Sequence, residues 1–129
     1  MKSKLISGIT LMFLFSIAIL NAQTKEKINN TSNPAVTFIE LGSVNCIPCR
    51  QMQPVMKSVE KKYGSQIKVI FYDVWKKDQK QYASQYQIKL IPIQVFFDGK
   101  GKEIMRHEGF LAEVEIDKFL KSKGLKVIN

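Results

Sequence analysis

The feature that most constrains how this chain can fold is a close pair of cysteines, Cys46 and Cys49, between two segments of different periodicity. Before the pair, Pro34 to Leu41 is a short, nearly continuous apolar run, which is typical of a strand buried on both faces. After it, apolar residues recur at the spacing of one helix face, at Met52, Val55, Met56, Val59 and Tyr63. Gly64 follows as a helix stop. The sequence therefore predicts that both cysteines lie at a strand-to-helix junction.

The position of the pair indicates thiol–disulfide exchange. These are the only two cysteines in the 129-residue chain, and a disulfide between residues so close in sequence constrains the unfolded chain least. A zinc site would need two further ligands, and the single histidine, His107, is far off in sequence. At a helix N-terminus, free N–H groups and the helix dipole stabilise the thiolate of Cys46. Cys46 is then the attacking residue, and Cys49, one turn further in, resolves the mixed disulfide.

The rest of the chain predicts an α/β fold. The predicted elements after the first helix are a strand at Ile67–Val74, a helix at Asp78–Gln87 with Asp78 as N-cap, strands at Pro92–Phe97 and Lys102–His107 around an Asp98–Gly101 hairpin turn, and a helix at Glu113–Ser122. Helical crossovers make the first strands parallel, and the tight hairpin makes the last two antiparallel. The order βαβαββα predicts a mixed central sheet of about four strands with helices on both faces.

The N-terminus resembles a secretory signal peptide. Lys2 and Lys4 precede an apolar stretch from Leu5 to Leu20, and we place cleavage after Ala22. If it were not cleaved, this stretch would anchor the protein in the membrane. The predicted organisation is thus a signal peptide over residues 1–22, a flexible linker over 23–33 and one domain over 34–125.

The charge of the chain gives little support to nucleic-acid binding. The net charge is +9, but the lysines are scattered, without a basic run or an arginine-aromatic pattern. We therefore predict a solvated basic surface and no nucleic-acid partner.

Several separate positions make the chain from Pro34 to Lys123 resemble the thioredoxin family. Cys46-Ile47-Pro48-Cys49 is similar to the family's Cys-x-Pro-Cys, and Pro54 matches the proline that kinks the active-site helix. The alternative is that Pro54 is an ordinary first-turn proline with no functional role, but it lies too deep in the helix for that.

The resemblance also implies a substrate-binding surface. Ile91-Pro92 looks like the cis-proline segment that packs against the cysteines and offers backbone hydrogen bonds to a substrate, whereas an ordinary strand start would make the bond trans. Gly109 resembles a glycine on the substrate-docking rim. Ile47 and Pro48, between the cysteines, complete the implied surface.

Glu40 aligns with the buried acid that exchanges a proton with the second cysteine in thioredoxins. Burial would raise its pKa towards that of a thiol, as a proton shuttle requires. The alternative is an exposed glutamate on a strand one register off. Asn45 replaces the tryptophan usual before the first cysteine. Trp75 is expected to pack in the interior, with a place on the active-site rim as the alternative, and Phe110 is expected in or near the core.

The dipeptide between the cysteines favours reduction over oxidation. Strongly oxidising relatives typically carry a histidine there, which stabilises the reduced form, and Ile47-Pro48 lacks one. We expect a monomeric protein-disulfide reductase in the periplasm or envelope of a bacterium, with no cofactor besides its dithiol. Its partners would be protein thiols and disulfides, and a transmembrane thiol carrier would supply electrons. An oxidase or isomerase of the same fold, or a docking module without turnover, remains open.

Overall fold

The computed structural model describes residues 33–128, which form seven regular elements and one short 3-10 turn at Gly64–Gln66. In chain order the elements are β1 (Val36–Gly42), α1 (Ile47–Tyr63), β2 (Ile67–Asp73), α2 (Gln81–Gln85), β3 (Ile93–Asp98), β4 (Glu103–Glu108) and α3 (Glu113–Ser122). The predicted signal peptide and all but the last residue of the predicted linker lie outside this range. Within it, no helix is both long and apolar enough to cross a membrane.

The strands form one mixed sheet in the order β2-β1-β3-β4. The pair β1 and β2 is parallel, and the pairs β1–β3 and β3–β4 are antiparallel. The predicted α/β class and four-stranded mixed sheet are confirmed. The parallel relation is confined to β1 and β2, because β3 runs antiparallel to β1 although a helical segment precedes it.

The predicted helix from Asp78 to Gln87 is wrong in its extent. Helix α2 has only five residues, and Lys80, not Asp78, occupies its N-cap position. The preceding chain folds as turns, in which the N–H groups of Gln79 and Lys80 both donate to the carbonyl of Lys76. A run of lysines and polar residues offers no apolar face to the sheet, so nothing there stabilises a longer helix.

Two apolar layers enclose the sheet. One lies under α1 and α3 and contains Phe38, Met52, Val59, Tyr63, Phe96, Ile116 and Leu120. The other contains Ile39, Leu41, Ile93 and Val95, against which residues of α2 pack. The prediction of helices on both faces is therefore confirmed. Glu40 alternates with Ile39 and Leu41 along β1, so it lies on the α1 side of the sheet.

Candidate active site

The two cysteines lie at the junction of β1 and α1, as the sequence predicts. Cys46 occupies the N-cap position with extended backbone (φ −97°, ψ 127°), and its N–H donates to the carbonyl of Ser43 at 3.1 Å. Cys46 and Cys49 are joined by a disulfide, with their Cα atoms 5.2 Å apart. Cys46 is half-buried, whereas Cys49 is fully buried. The arrangement gives an incoming sulfur access to Cys46 only.

The first turn of α1 provides a favourable environment for a thiolate on Cys46. The N–H groups of Ile47 and Cys49 belong to this turn and have no acceptor within the helix, while Pro48 has no N–H. Their partial positive charge adds to that of the helix dipole. The side chain of Ile47 is 65% exposed beside the disulfide. Reduction would therefore leave an accessible and stabilised thiolate at Cys46.

Glu40 is completely buried on β1, which confirms the predicted burial. Burial raises the pKa of its carboxyl to about 8, because the interior solvates the charged form poorly. Gln94 opposes Glu40 on β3, and its side-chain amide acts against this rise in pKa, although it lies outside hydrogen-bonding geometry with either carboxylate oxygen. An acid with a pKa near that of a thiol can both accept and return a thiol proton close to neutral pH.

Gly42 allows Glu40 and Cys49 to approach one another. A Cβ atom at position 42 would lie 3.1 Å from the Sγ of Cys49 and 3.3 Å from the Oε1 of Glu40. Both functional groups therefore border the same small space above the glycine. A larger residue would fill that space. Glycine at position 42 is therefore part of the site.

The predicted proline and glycine positions lie at the same end of the sheet. Leu41 pairs with Ile93, which places Pro92 beside the end of β1, where the loop to the cysteines begins. The Ile91–Pro92 peptide bond is cis, as the resemblance implies. Gly109, with φ of 88°, donates its N–H to the carbonyl of Pro92 at 2.8 Å.

Pro54 lies apart from this end of the sheet. It is exposed inside α1, eight residues after Cys46. Its ring removes one hydrogen bond from the helix interior. The structure thus brings together every predicted site residue except Pro54, which contributes to the helix and not to the site.

Asp73 and Gln94 are buried polar residues of this region whose place in it was not predicted. Asp73, the last residue of β2, accepts hydrogen bonds from the N–H groups of Val44 (3.3 Å) and Trp75 (3.2 Å). It thereby holds the loop before Cys46 against the end of β2. Gln94 is the second. The sequence feature that could have identified it is that it is a single polar residue inside the apolar run of β3.

Exposed apolar side chains occur in each segment that meets at this end of the sheet. We call this set the apolar rim; it comprises Val44, Ile47, Trp75, Leu90 and Phe110. The expected interior packing of Trp75 is wrong, since its side chain is 62% exposed, and Phe110 is also exposed. Both lie two residues after the end of a strand, where the chain has left the sheet.

Comparison with known proteins agrees with this geometry. A family model described as a thioredoxin-like domain matches residues 20–124. The chain is similar to thioredoxin 1 of Synechococcus elongatus, with 31% identity over 84 residues that cover 64% of this chain and 75% of that protein. It is also similar to thioredoxin of Pongo abelii, with 30% identity over 74 residues that cover 57% and 67% of the two chains.

Solved thioredoxin structures share the fold. A mutant thioredoxin from Halobacterium salinarum NRC-1 has a TM-score of 0.59 at 21% identity, over 77% of this chain and 82% of that one. Fasciola hepatica thioredoxin has a TM-score of 0.59 at 24% identity, over 74% and 86% of the two chains. The family match and the disulfide at the start of α1 lead to one conclusion: the chain belongs to the thioredoxin-like family and is a thiol–disulfide oxidoreductase whose redox-active pair is Cys46 and Cys49.

Proposed function

We propose that this protein is a protein-disulfide reductase that acts outside the cytoplasm. The observation that carries the proposal is the asymmetry of the cysteine pair: a half-buried Cys46 at the helix N-terminus, and a fully buried Cys49 beside the carboxyl of Glu40. Reduction as the direction rests on Ile47 and Pro48, which bring no charged or imidazole group to stabilise the dithiol form.

The chemistry follows from the positions of the three groups. In the reduced protein, the Cys46 thiolate attacks one sulfur of a substrate disulfide; a new S–S bond forms, and the other substrate sulfur leaves as a thiolate that takes a proton from water. Cys49 then loses its proton to the Glu40 carboxylate and attacks the Cys46 sulfur. The Cys46–substrate bond breaks and the second substrate thiolate leaves. Two electrons have passed from the dithiol to the substrate.

The apolar rim supports a protein as the substrate. Five large apolar side chains remain exposed in the segments around the disulfide, and such patches on soluble proteins commonly mark interaction sites. The free backbone groups of Ile91 beside the cis bond, and the loop at Gly109, would bind the extended chain that flanks a substrate cysteine. Relatives named thioredoxin are consistent with this assignment.

The site of action and the electron donor rest on the predicted signal peptide over residues 1–22. An exported reductase has no NADPH-linked partner in its compartment, so we infer that a transmembrane thiol carrier reduces the Cys46–Cys49 disulfide. No cofactor beyond this dithiol takes part in the proposed cycle. We further infer that the domain acts as a monomer and has no nucleic-acid partner.

Reduction of insulin disulfides with dithiothreitol tests the proposed activity. We expect turnover in the wild type and loss of turnover in both Cys46→Ser and Cys49→Ser. The two variants are also matched controls for each other, because only Cys49→Ser retains the attacking sulfur. Cys49→Ser should accumulate a mixed disulfide with a protein substrate, which mass spectrometry detects, and Cys46→Ser should not. Turnover that survives either substitution would refute the mechanism, and Cys49→Ser that binds partners without a covalent link would favour a docking module.

A further inference from the structure

Glu40 and Gln94 form an isolated polar pair inside the apolar interior. They lie directly opposite one another on β1 and β3, and both are completely buried. Side chains that are paired in this way point to the same face of the sheet, with Cβ atoms about 5 Å apart. Within residues 33–128, only four buried side-chain polar atoms lack a hydrogen-bond partner. They are the two carboxyl oxygens of Glu40 and the amide oxygen and nitrogen of Gln94.

A buried amide is costly unless it has a partner. The next side chain on the same face of β3, Phe96, is apolar and equally buried. An apolar side chain would therefore fit position 94 at lower cost if the residue served packing alone. The polar group with which the Gln94 amide can form hydrogen bonds is the carboxyl of Glu40, directly opposite on β1.

We propose that Gln94 is a positioning residue that orients the carboxyl of Glu40 towards Cys49 in both protonation states of the acid. The inference rests on the proposed function, in which Glu40 exchanges a proton with the Cys49 thiol. The carboxyl of Glu40 points towards Cys49, because the Oε1 of Glu40 and the Sγ of Cys49 both border the space above Gly42.

A primary amide suits this role because it carries a donor and an acceptor side by side. When Glu40 is ionised, the Nε2–H group of Gln94 can donate to a carboxylate oxygen. When Glu40 is protonated, its O–H can donate to the Oε1 of Gln94. The amide can thus hold the carboxyl in one place while the proton moves to and from the sulfur, which an apolar side chain at position 94 could not do.

The other groups around Glu40 cannot replace Gln94 in this role. Phe71 is opposite Glu40 on β2, and Asp73 lies two residues further, where its carboxylate accepts backbone N–H groups. Cys49 faces the acid from α1. His107 on β4 is opposite Gln94, one strand further away, and its ring nitrogen contacts the carbonyl of Phe110 at 3.2 Å.

The test replaces Gln94 by methionine, which keeps the length of the side chain and removes the amide. In protein labelled with 13C-glutamate, we expect the carboxyl midpoint of Glu40 to rise by about one pH unit in Gln94→Met. Both forms of the acid lose a partner, but the hydrogen bond lost by the ionised form is the stronger of the two. Gln85→Met makes the same chemical change on the exposed surface of α2 and should leave the midpoint unchanged. A midpoint that is equal in Gln94→Met and the wild type would overturn the inference.

A kinetic measurement connects the pair to Cys49. The pH profile for resolution of a mixed disulfide at Cys46 should move upward with the carboxyl midpoint in Gln94→Met; a profile that stays in place would overturn the positioning role. If the wild type resolves no mixed disulfide at any pH while the carboxyl midpoint still shifts, the proposed function fails and the pairing of the two side chains stands.

The wild type alone provides a second test that does not depend on the folding of a variant. The side-chain amide resonances of Gln94 should shift with pH at the same midpoint as the Glu40 carboxyl, because the amide changes its hydrogen bond when the acid ionises. Amide resonances of Gln94 that do not shift when Glu40 ionises would overturn the inference.

Discussion

Replacement of Glu40 by glutamine should make the folded protein more stable, by an amount that grows with pH. The two side chains have the same shape, but glutamine stays neutral at every pH. Burial raises the pKa of Glu40 from 4.5 to about 8, so the folded state holds the proton more tightly than the unfolded state. The wild type therefore loses stability as pH rises from about 4.5 to about 8, and the variant avoids this loss.

The size of the effect follows from the two pKa values. One pKa unit corresponds to about 1.4 kcal/mol, so the complete penalty is about 5 kcal/mol above pH 8 and about 3 kcal/mol at pH 7. Below pH 4.5 the penalty vanishes, because Glu40 is protonated in both states.

Urea denaturation of the oxidised protein at pH 5, 7 and 9 measures this difference, since the disulfide keeps both cysteines from titrating. The free energy of unfolding of Glu40→Gln minus that of the wild type should increase across the three pH values. Glu60→Gln, on the exposed side of α1, is the matched control and should show no such increase. A stability difference for Glu40→Gln that is constant between pH 5 and 9 would refute the assigned pKa and its cause.

Three further predictions concern the surroundings of the cysteines. Gly42→Ala places a methyl group 3.1 Å from the Sγ of Cys49. We expect the free energy of unfolding in urea to fall by about 1–3 kcal/mol and the resolution of mixed disulfides to become slower. Unchanged values of both would contradict the close approach of Glu40 and Cys49. Asp73→Ala leaves two backbone N–H groups without their acceptor and should cost about 2 kcal/mol in the same assay, whereas a neutral effect would exclude a clamping role. Trp75→Ala should lower kcat/KM for insulin by about fivefold and leave reduction of a small aromatic disulfide unchanged. Val127→Ala, at an exposed site near the far end of α1, is its control, and an equal loss with both substrates would remove the tryptophan from the protein-docking surface.

The sequence predicted the parts of the fold that depend on local pattern. The apolar spacing of α1 and the glycine after it locate the helix, and Glu113–Ser122 was predicted with the bounds that the structure has. The junction of β1 and α1 was also predictable, because the period of the apolar residues changes there. The short α2 was overestimated, because polar and lysine residues are compatible with a helix but do not hold one against the sheet.

Features that depend on strand register were not predictable. That Gln94 lies opposite Glu40 follows from the antiparallel pairing of β1 with β3, and no local pattern specifies which strands become neighbours. The close approach at Gly42 likewise requires α1 to pack across the end of β1. The exposure of Trp75 depends on where the chain leaves the sheet after β2. The apolar character of tryptophan alone suggested the interior.

The reduction potential of the Cys46–Cys49 pair tests the central claim most directly, because it separates a reductase from an oxidase of the same fold. It can be measured by equilibration with glutathione buffers, with the oxidised fraction read by mass spectrometry after thiol alkylation. A pair without a charged group between the cysteines is predicted to have a potential below about −200 mV, in the range of thioredoxins and glutaredoxins. A potential near about −120 mV, as in strong oxidants, would contradict the account.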